Sequence, residues 1–269
     1  MRRSMFAIAA LVALVGLTAC DGDSTGMEDP GPYTLTFEGD ASFQGAHGGQ
    51  TLRAALVSGG TVEATAETTV SASADPAFSL TFEDAVAADQ SYEIHYWIDS
   101  NFGGGAEAVC DGPDTDHQWS LDVPSATEDL TVTDTHRPTE TMDVCATFAA
   151  DLTFQGDASF QGPHGGQAIQ VGVVRSSDGT LVVSSSGTVS ASADPSFSFD
   201  FPGALLKGVG YEVHYWIDSN FGDGTAGTCD EVDDDHQWAV DLGSTMESTV
   251  THTESHDAGA QSAVCSTFN

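Results

Sequence analysis

The chain contains two similar copies of one sequence, and this duplication constrains its fold more than any other feature. Tyr33 to Phe148 repeats as Ala150 to Phe268. An internal repeat of this length predicts two similar domains, each with its own core, side by side along the chain. The longest shared stretches are Leu35–Gly45 with Leu152–Gly162, Tyr92–Gly103 with Tyr211–Gly222, and His117–Trp119 with His236–Trp238.

Apolar and polar residues alternate in several short segments of each copy, which is the period of a half-buried β-strand. Gly, Asp and Pro separate these segments, and no helical period of useful length occurs. About seven short strands per copy predict an all-β fold, with two tandem immunoglobulin-like or transthyretin-like β-sandwich repeats. A closed barrel is the alternative. In the first copy the alternating apolar residues are Leu35/Phe37, Leu52/Ala54/Leu56, Phe78/Leu80/Phe82, Tyr92/Ile94/Tyr96/Ile98, Trp119/Leu121/Val123 and Leu130/Val132.

The segment 92–98 has two different faces. Glu93, His95 and Trp97 lie on the face opposite the apolar tyrosines and isoleucines. An exposed Trp beside carboxylates would suit sugar stacking or protein docking. Because Trp is usually well buried, the sequence favours packing of this face against the other sheet or the neighbouring copy.

Composition excludes several classes of function. The chain has 41 acidic and only 6 basic residues, a net charge of −35, which excludes binding of nucleic acid through phosphate neutralisation. A hydrophobic content of 40% with 14 Phe excludes a wholly disordered chain. The sequence lacks a nucleophile elbow, a phosphate-binding loop and a dinucleotide fingerprint. We therefore expect a binding or structural protein without catalytic activity, and a hydrolase only as a distant alternative.

The cysteines follow the duplication. Apart from Cys20 near the N-terminus, two cysteines fall in each copy. An even number of cysteines in an exported protein indicates disulfides, and pairing within each copy is the economical choice. We predict the disulfides Cys110–Cys145 and Cys229–Cys265.

The N-terminus has a basic start, Met1 to Arg3, and an apolar segment, Met5 to Leu17, that is too short to span a bilayer. The following Leu17-Thr18-Ala19-Cys20 resembles the lipobox of bacterial lipoproteins. This resemblance implies cleavage before Cys20 and a lipid on its sulfur that anchors the protein to the membrane. We expect an exported protein of the bacterial cell envelope, facing the periplasm or the cell surface. The expected organisation is a signal peptide (1–19), a disordered tether (20–32) and two β-sandwich repeats (33–149 and 150–269).

Acidic loops suggest a calcium site in each copy. An Asp-x-Asn motif stands where a strand enters a Gly-rich loop, and further aspartates follow it. Oxygen donors at this density suit Ca²⁺ better than softer metals. The spacing is not that of an EF-hand, and a merely solvated acidic loop is the alternative reading. The candidate ligands are Asp99, Asn101, Asp111 and Asp116 in the first copy and Asp218, Asn220, Asp230 and Asp235 in the second.

The histidines suggest a different site. Three histidines of the first copy correspond directly to three of the second. Three imidazoles per domain would suit copper or zinc. A fourth pair, His136 and His256, corresponds if a gap is allowed. Spacing within the copies is not that of a metal motif, and His117 lies on the apolar side of its strand with Trp119, so structural histidines are favoured. The candidate ligands are His47, His95 and His117, with His164, His214 and His236.

The order of motifs adds one resemblance. Phe-x-Gly, His-Gly-Gly-Gln, Asp-x-Asn and Asp-His-x-Trp follow one another in both copies, and Asp116–Trp119 with Asp235–Trp238 is the most specific part. This order resembles an uncharacterised β-sandwich module of secreted and surface-anchored bacterial proteins, which implies a location and a fold but no reaction. The sequence predicts a lipid-anchored envelope protein with calcium-ordered loops that binds a protein or glycan ligand. The alternative is a periplasmic lipoprotein that binds copper or zinc.

Overall fold

The computed structural model describes residues 32–222 and 224–269. The predicted signal peptide, the lipidation site Cys20 and the predicted tether up to residue 31 lie outside the described residues. The first repeat contains the strands β1 (Tyr33–Gly39), β2 (Thr51–Ser58), β3 (Thr61–Thr69), β4 (Phe78–Val86), β5 (Tyr92–Ile98), β6 (His117–Val123) and β7 (Leu130–Asp134). The second contains β8 (Ala149–Gly156), β9 (Ala168–Arg175), β10 (Leu181–Thr188), β11 (Phe197–Leu206), β12 (Gly210–Ile217), β13 (His236–Ser244) and β14 (Thr249–Glu254).

Helical structure in the described residues is limited to single turns. They are α1 (Gln44–His47), α2 (Cys145–Phe148) and α3 (Gln161–His164), with 3-10 turns at Ala41–Phe43, Ala158–Phe160 and Cys265–Thr267. Within residues 32–222 and 224–269, helices long and apolar enough to cross a membrane are not found.

Each repeat is a sandwich of two separate sheets, which confirms the predicted all-β fold. In the first repeat the sheets have the strand orders β4-β1-β7 and β3-β2-β5-β6. The first strand pairs antiparallel with β4 and parallel with β7. An immunoglobulin domain pairs its first strand with its second, so the order observed here is the transthyretin-like one of the two predicted topologies. The second repeat has the same arrangement, with the orders β11-β8-β14 and β10-β9-β12-β13.

An aromatic stack fills the core of each repeat. The ring of Phe37 lies 5.0 Å from Tyr96, which in turn stacks on Trp119 at 5.1 Å. These side chains come from β1, β5 and β6, so the stack connects the two sheets. Phe154, Tyr215 and Trp238 form the same stack in the second repeat.

Both predicted disulfides are formed, Cys110–Cys145 and Cys229–Cys265. Each joins the long loop between the fifth and sixth strands of its repeat to the single helical turn near the end of that repeat.

The two repeats pack against each other through the outer face of β5. Trp97 is fully buried there, beside Phe148 at 6.2 Å between ring centroids, and Leu206 of the second repeat completes the cluster. The face that carries Trp97 therefore packs against the neighbouring copy, as the sequence favoured. The buried members of this cluster are Ala55, Val57, Val62, Trp97, Val144, Phe148 and Leu206.

A carboxylate in this cluster should weaken the contact between the repeats. We expect Leu206→Asp to cost about 2–4 kcal/mol, because it places a charged group where an apolar side chain packed. Ala87 holds the equivalent position of the first repeat and is exposed, so Ala87→Asp is the matched control. Calorimetric unfolding should show a lower midpoint for Leu206→Asp alone. Equal midpoints for the two variants would contradict this role of Leu206.

Candidate metal centre

Three histidine rings converge at one end of each sandwich. In the first repeat, His47 Nε2 lies 3.0 Å from His136 Nε2 and 3.0 Å from His117 Nδ1, and the last two atoms are 3.3 Å apart. In the second repeat, His236 Nδ1 lies 2.9 Å from His164 Nε2. His256 completes this cluster with a buried Nε2 that has no hydrogen-bond partner. We call these two groups the histidine clusters.

The turn after β1 brings the members of the first cluster together. His47 is the last residue of α1, His117 is the first residue of β6, and His136 follows β7. The Asp40 carboxylate accepts from the Ser42 backbone N–H at 2.9 Å, and the Ser42 hydroxyl accepts from the His136 backbone N–H at 2.8 Å. Asp157, Ser159 and His256 repeat these contacts at 2.8 and 2.7 Å.

Neighbouring oxygens fix the tautomer of His47. Its Nδ1 lies 2.7 Å from the amide oxygen of Gln50, and an amide oxygen can only accept. Nδ1 must therefore carry the hydrogen, so Nε2 directs a lone pair into the cluster. His164 has the same contact with Gln167 at 2.6 Å. A partner of this kind behind the coordinating ring is typical of histidine ligands of metals.

Aromatic side chains surround the first cluster. Trp119 lies beneath it, with ring centroids 5.4 to 6.2 Å from the three imidazoles. Phe102 lies against His117 at 4.9 Å on the solvent side and is itself 44% exposed. Phe221 occupies the same place beside His236 at 5.0 Å. The imidazoles are thus held in surroundings of low polarity.

This burial keeps the imidazoles neutral. Desolvation lowers the pKa of His47 to about 4 and that of His164 to about 4. It also lowers the pKa of the other four members, His117, His136, His236 and His256. Neutral imidazole is the form that binds a metal ion, so near pH 7 the ligands need no proton release.

The donor geometry fits a tetrahedral ion with one open position. Zinc–nitrogen bonds in a tetrahedral site place ligand nitrogens roughly 3.3 Å apart. The three nitrogens of the first cluster are 3.0 to 3.3 Å apart. In the part of the chain that the structure describes, groups of three or more His, Cys, Asp or Glu with converging ligand atoms are these two clusters. A water or another small ligand would therefore complete the coordination.

The predicted calcium ligands have a different arrangement. Asp116 is fully buried, and its carboxylate accepts from the backbone N–H groups of Ser100 (2.9 Å), Asn101 (3.1 Å) and Asp111 (2.9 Å). Asp99 accepts from the Ala108 backbone N–H at 2.6 Å. The loop is thus ordered by its own amide groups. Asp235, Asp218 and Asp230 repeat this network, and a calcium ion here stays a prediction.

His95 does not belong to the cluster that contains His47 and His117. It lies on the outer face of β5, where Nδ1 is 2.7 Å from Thr147 Oγ1 and Nε2 is 2.9 Å from Glu93 Oε2. His95 thus connects α2 to the sheet, and His214 does the same through Thr267 and Glu212. The third members are instead His136 and His256, which the sequence could have indicated through their gapped correspondence.

Comparison with known proteins finds little similarity. Neither a protein-family model nor a curated protein matches the chain. The Bacillus anthracis TIE protein is 10% identical over 84% of this chain and 34% of its own length, with a TM-score of 0.26. This chain thus spans about a third of that protein. A candidate cell adhesion protein of Bacteroides ovatus is 8% identical over 86% of this chain and 94% of its own length (TM-score 0.26). The Streptococcal ancillary pilin is 11% identical over 82% and 62% (TM-score 0.21), and at these scores no residue role is transferred to this chain.

The low pKa values of the buried histidines predict how stability depends on pH in metal-free protein. An unfolded histidine titrates near pH 6.5, whereas folded His47 and His164 titrate at about 4. Between these values the unfolded state binds more protons, so stability falls as the pH falls, by about 1.4 kcal/mol per pH unit for each histidine. Urea unfolding of wild type and His47→Asn in the presence of a chelator should show a shallower slope for the variant. Identical slopes would show that His47 does not titrate in this way.

Proposed function

We propose that the protein is an exported metal-binding protein of the cell envelope, and that each repeat holds one copper or zinc ion through its histidine cluster. The convergence of three neutral imidazole nitrogens within 3.3 Å in the first repeat carries this proposal. Imidazole donors suit both metals, and copper binds such ligands more tightly than zinc does. The role is binding or delivery of the ion without catalysis.

Repetition of the surroundings supports this function. The second repeat keeps the three histidines, the glutamine that sets the tautomer and the tryptophan beneath the rings. A histidine with a merely structural role would not need two further imidazoles at hydrogen-bond distance. The lone pair of His47 Nε2 faces the nitrogens of His117 and His136, so a cation or a ring N–H must lie between them.

The proposed location follows from the N-terminal sequence and the disulfides. The lipobox-like Leu17–Cys20 indicates lipid attachment at Cys20, which would tie the protein to the envelope membrane. Disulfides persist in exported proteins, where the surroundings are oxidising. We place the protein on the periplasmic or outer side of the membrane, with the lipid as its membrane contact.

Calcium binding to the acidic loops is the second candidate function. One observation favours it: the side-chain oxygens of Asn101 and Asn220 are buried and have no hydrogen-bond partner. A hard cation would satisfy such an oxygen. In that case the ordered loops would present a surface for a protein or glycan ligand.

Metal titration tests the proposed function. We expect the chelator-treated mature protein to bind two Cu²⁺ or Zn²⁺ ions and to unfold at a higher temperature, since an ion at 100 times its Kd adds about 2.7 kcal/mol. His136→Ala should reduce the stoichiometry by one ion because it removes one ligand of the first cluster. The matched control is His95→Ala, which removes a histidine outside the cluster and should leave two bound ions.

The same titration separates the two candidate functions. A rise in midpoint with millimolar Ca²⁺ that is lost in Asp99→Asn would favour the acidic loops. Absence of Cu²⁺ and Zn²⁺ binding, or equal binding by His136→Ala and wild type, would refute the histidine site.

Lipid attachment has its own test. Cells that express the full-length chain should incorporate labelled fatty acid into it, and Cys20→Ser should abolish the label because the acceptor sulfur is lost. Cys20→Ser protein should also leave the membrane fraction. Label that persists in this variant would place the modification elsewhere.

A further inference from the structure

We propose that the disulfide of each repeat controls metal affinity, by closing the loop that carries two of the three ligands. The inference rests on the proposed function. His117 and His136 both lie between Cys110 and Cys145, which are 35 residues apart in the sequence. His47 lies outside this loop. The second repeat has the same order, with His236 and His256 between Cys229 and Cys265.

Gln118 connects this loop to the coordinating residues. It follows His117 directly and is fully buried. Its side-chain amide donates to the backbone oxygen of Asp111, beside Cys110, and accepts from the Val144 backbone N–H at 2.8 Å, beside Cys145. Both sides of the disulfide are therefore hydrogen-bonded to the neighbour of a ligand. The Gln118 backbone oxygen also accepts from the Met142 backbone N–H at 2.9 Å.

The second repeat repeats the connection. Gln237, which follows His236, donates to the backbone oxygen of Asp230 at 2.7 Å and accepts from the Val264 backbone N–H at 2.8 Å. Its backbone oxygen accepts from the Ser262 backbone N–H at 3.0 Å. Two copies with different intervening sequences thus hold the loop in the same way.

The covalent bond matters because the chain between His136 and Cys145 contains neither helix nor strand. Without the disulfide, this segment would be held by its hydrogen bonds to the rest of the repeat and by the packing of Val144 at its far end. Greater freedom of His136, and of the start of β6 at His117, would have to be lost again on metal binding. A ligand set that is less preorganised binds more weakly.

If the disulfide controls affinity in this way, a dithiol reductant that cleaves it promotes release of the metal. A thiolate of the reductant attacks one cystine sulfur, which breaks the S–S bond and releases the other cysteine. The second thiolate of the reductant then attacks the reductant sulfur of the mixed disulfide and releases the first cysteine, so the products are two cysteine thiols and a reductant oxidised to its disulfide. Cys229 and Cys265 line a surface cavity of about 550 Å³, so a reductant can approach this bond.

The test uses the second repeat as an internal reference. In the full mature chain, Cys110→Ser/Cys145→Ser removes the first disulfide without leaving thiols that could bind metal. Cu²⁺ is titrated in competition with a coloured chelator. We expect two sites of similar affinity in wild type, and in the variant one unchanged site and one weakened by about tenfold or more. Cys229→Ser/Cys265→Ser should weaken the other site.

The possible outcomes distinguish failure of this inference from failure of the proposed function. Failure of oxidised wild type to bind Cu²⁺ would refute the proposed function. Binding of two ions with unchanged affinity by the serine variants would overturn the inference and leave the function standing. Thermal unfolding in chelator shows whether each variant folds.

A second variant keeps the disulfide intact. Gln118→Ala removes the two side-chain hydrogen bonds from this residue to Asp111 and Val144, so it should weaken the first site and alter the visible absorption of Cu²⁺ bound there. Gln90→Ala, an exposed glutamine outside the loop, is the control. An unchanged affinity and spectrum in Gln118→Ala would overturn the inference even if the serine variants were unfolded.

Discussion

The indole of Trp119 connects the fold to the histidine cluster. One face stacks on Tyr96 in the core, and the ring forms the floor beneath the three imidazoles. Its N–H donates to the backbone oxygen of Arg137 at 3.0 Å, which fixes the chain next to His136. Because one rigid side chain makes all three contacts, the packing of the two sheets and the positions of the three histidines depend on each other. Trp238 has the same contacts in the second repeat.

The net charge of the protein and the donor atoms of the histidine cluster contribute differently to the binding of an ion. A net charge of −35 raises the concentration of cations near the surface without distinguishing among them. The histidine cluster is neutral and enclosed by aromatic rings, so it offers little to a hard cation that prefers oxygen ligands. Selectivity in the proposed function therefore comes from nitrogen donors in surroundings of low polarity, and the acidic surface contributes mainly to the rate of encounter.

Alternation along the strands made the fold predictable, because one face of each strand must be buried. The cysteines could be paired because the duplication divided them equally. Neither argument applies to His136, which follows the end of β7 and reaches the cluster through a hydrogen bond to the Ser42 hydroxyl. The same limit applies to Asp116. Its carboxylate accepts from three backbone amides in the folded loop, contacts that the sequence does not indicate, and its role as a calcium ligand stays a prediction. The contacts that position loop residues produce no periodic pattern of residues in the sequence, so the sequence does not reveal them.

The two repeats differ where they meet and agree where the histidines lie. Arg53, Arg175 and Lys207 are three of the four cationic residues in the described part of the chain, and all lie at or beside the junction. Their counterparts in the other repeat are Gln170, Ser58 and Ala88. Gln170 accepts from the indole N–H of Trp216 at 3.2 Å, whereas the indole N–H of Trp97 at the junction has no partner. The junction thus contains residues that the equivalent positions of the other repeat lack, while both clusters have the same histidines and the same glutamine behind them. A surface that only had to pack would be free to change at both places. The retention of the histidines and of this glutamine in both copies, which differ at many other positions, is what we expect if the histidine clusters have a task of their own.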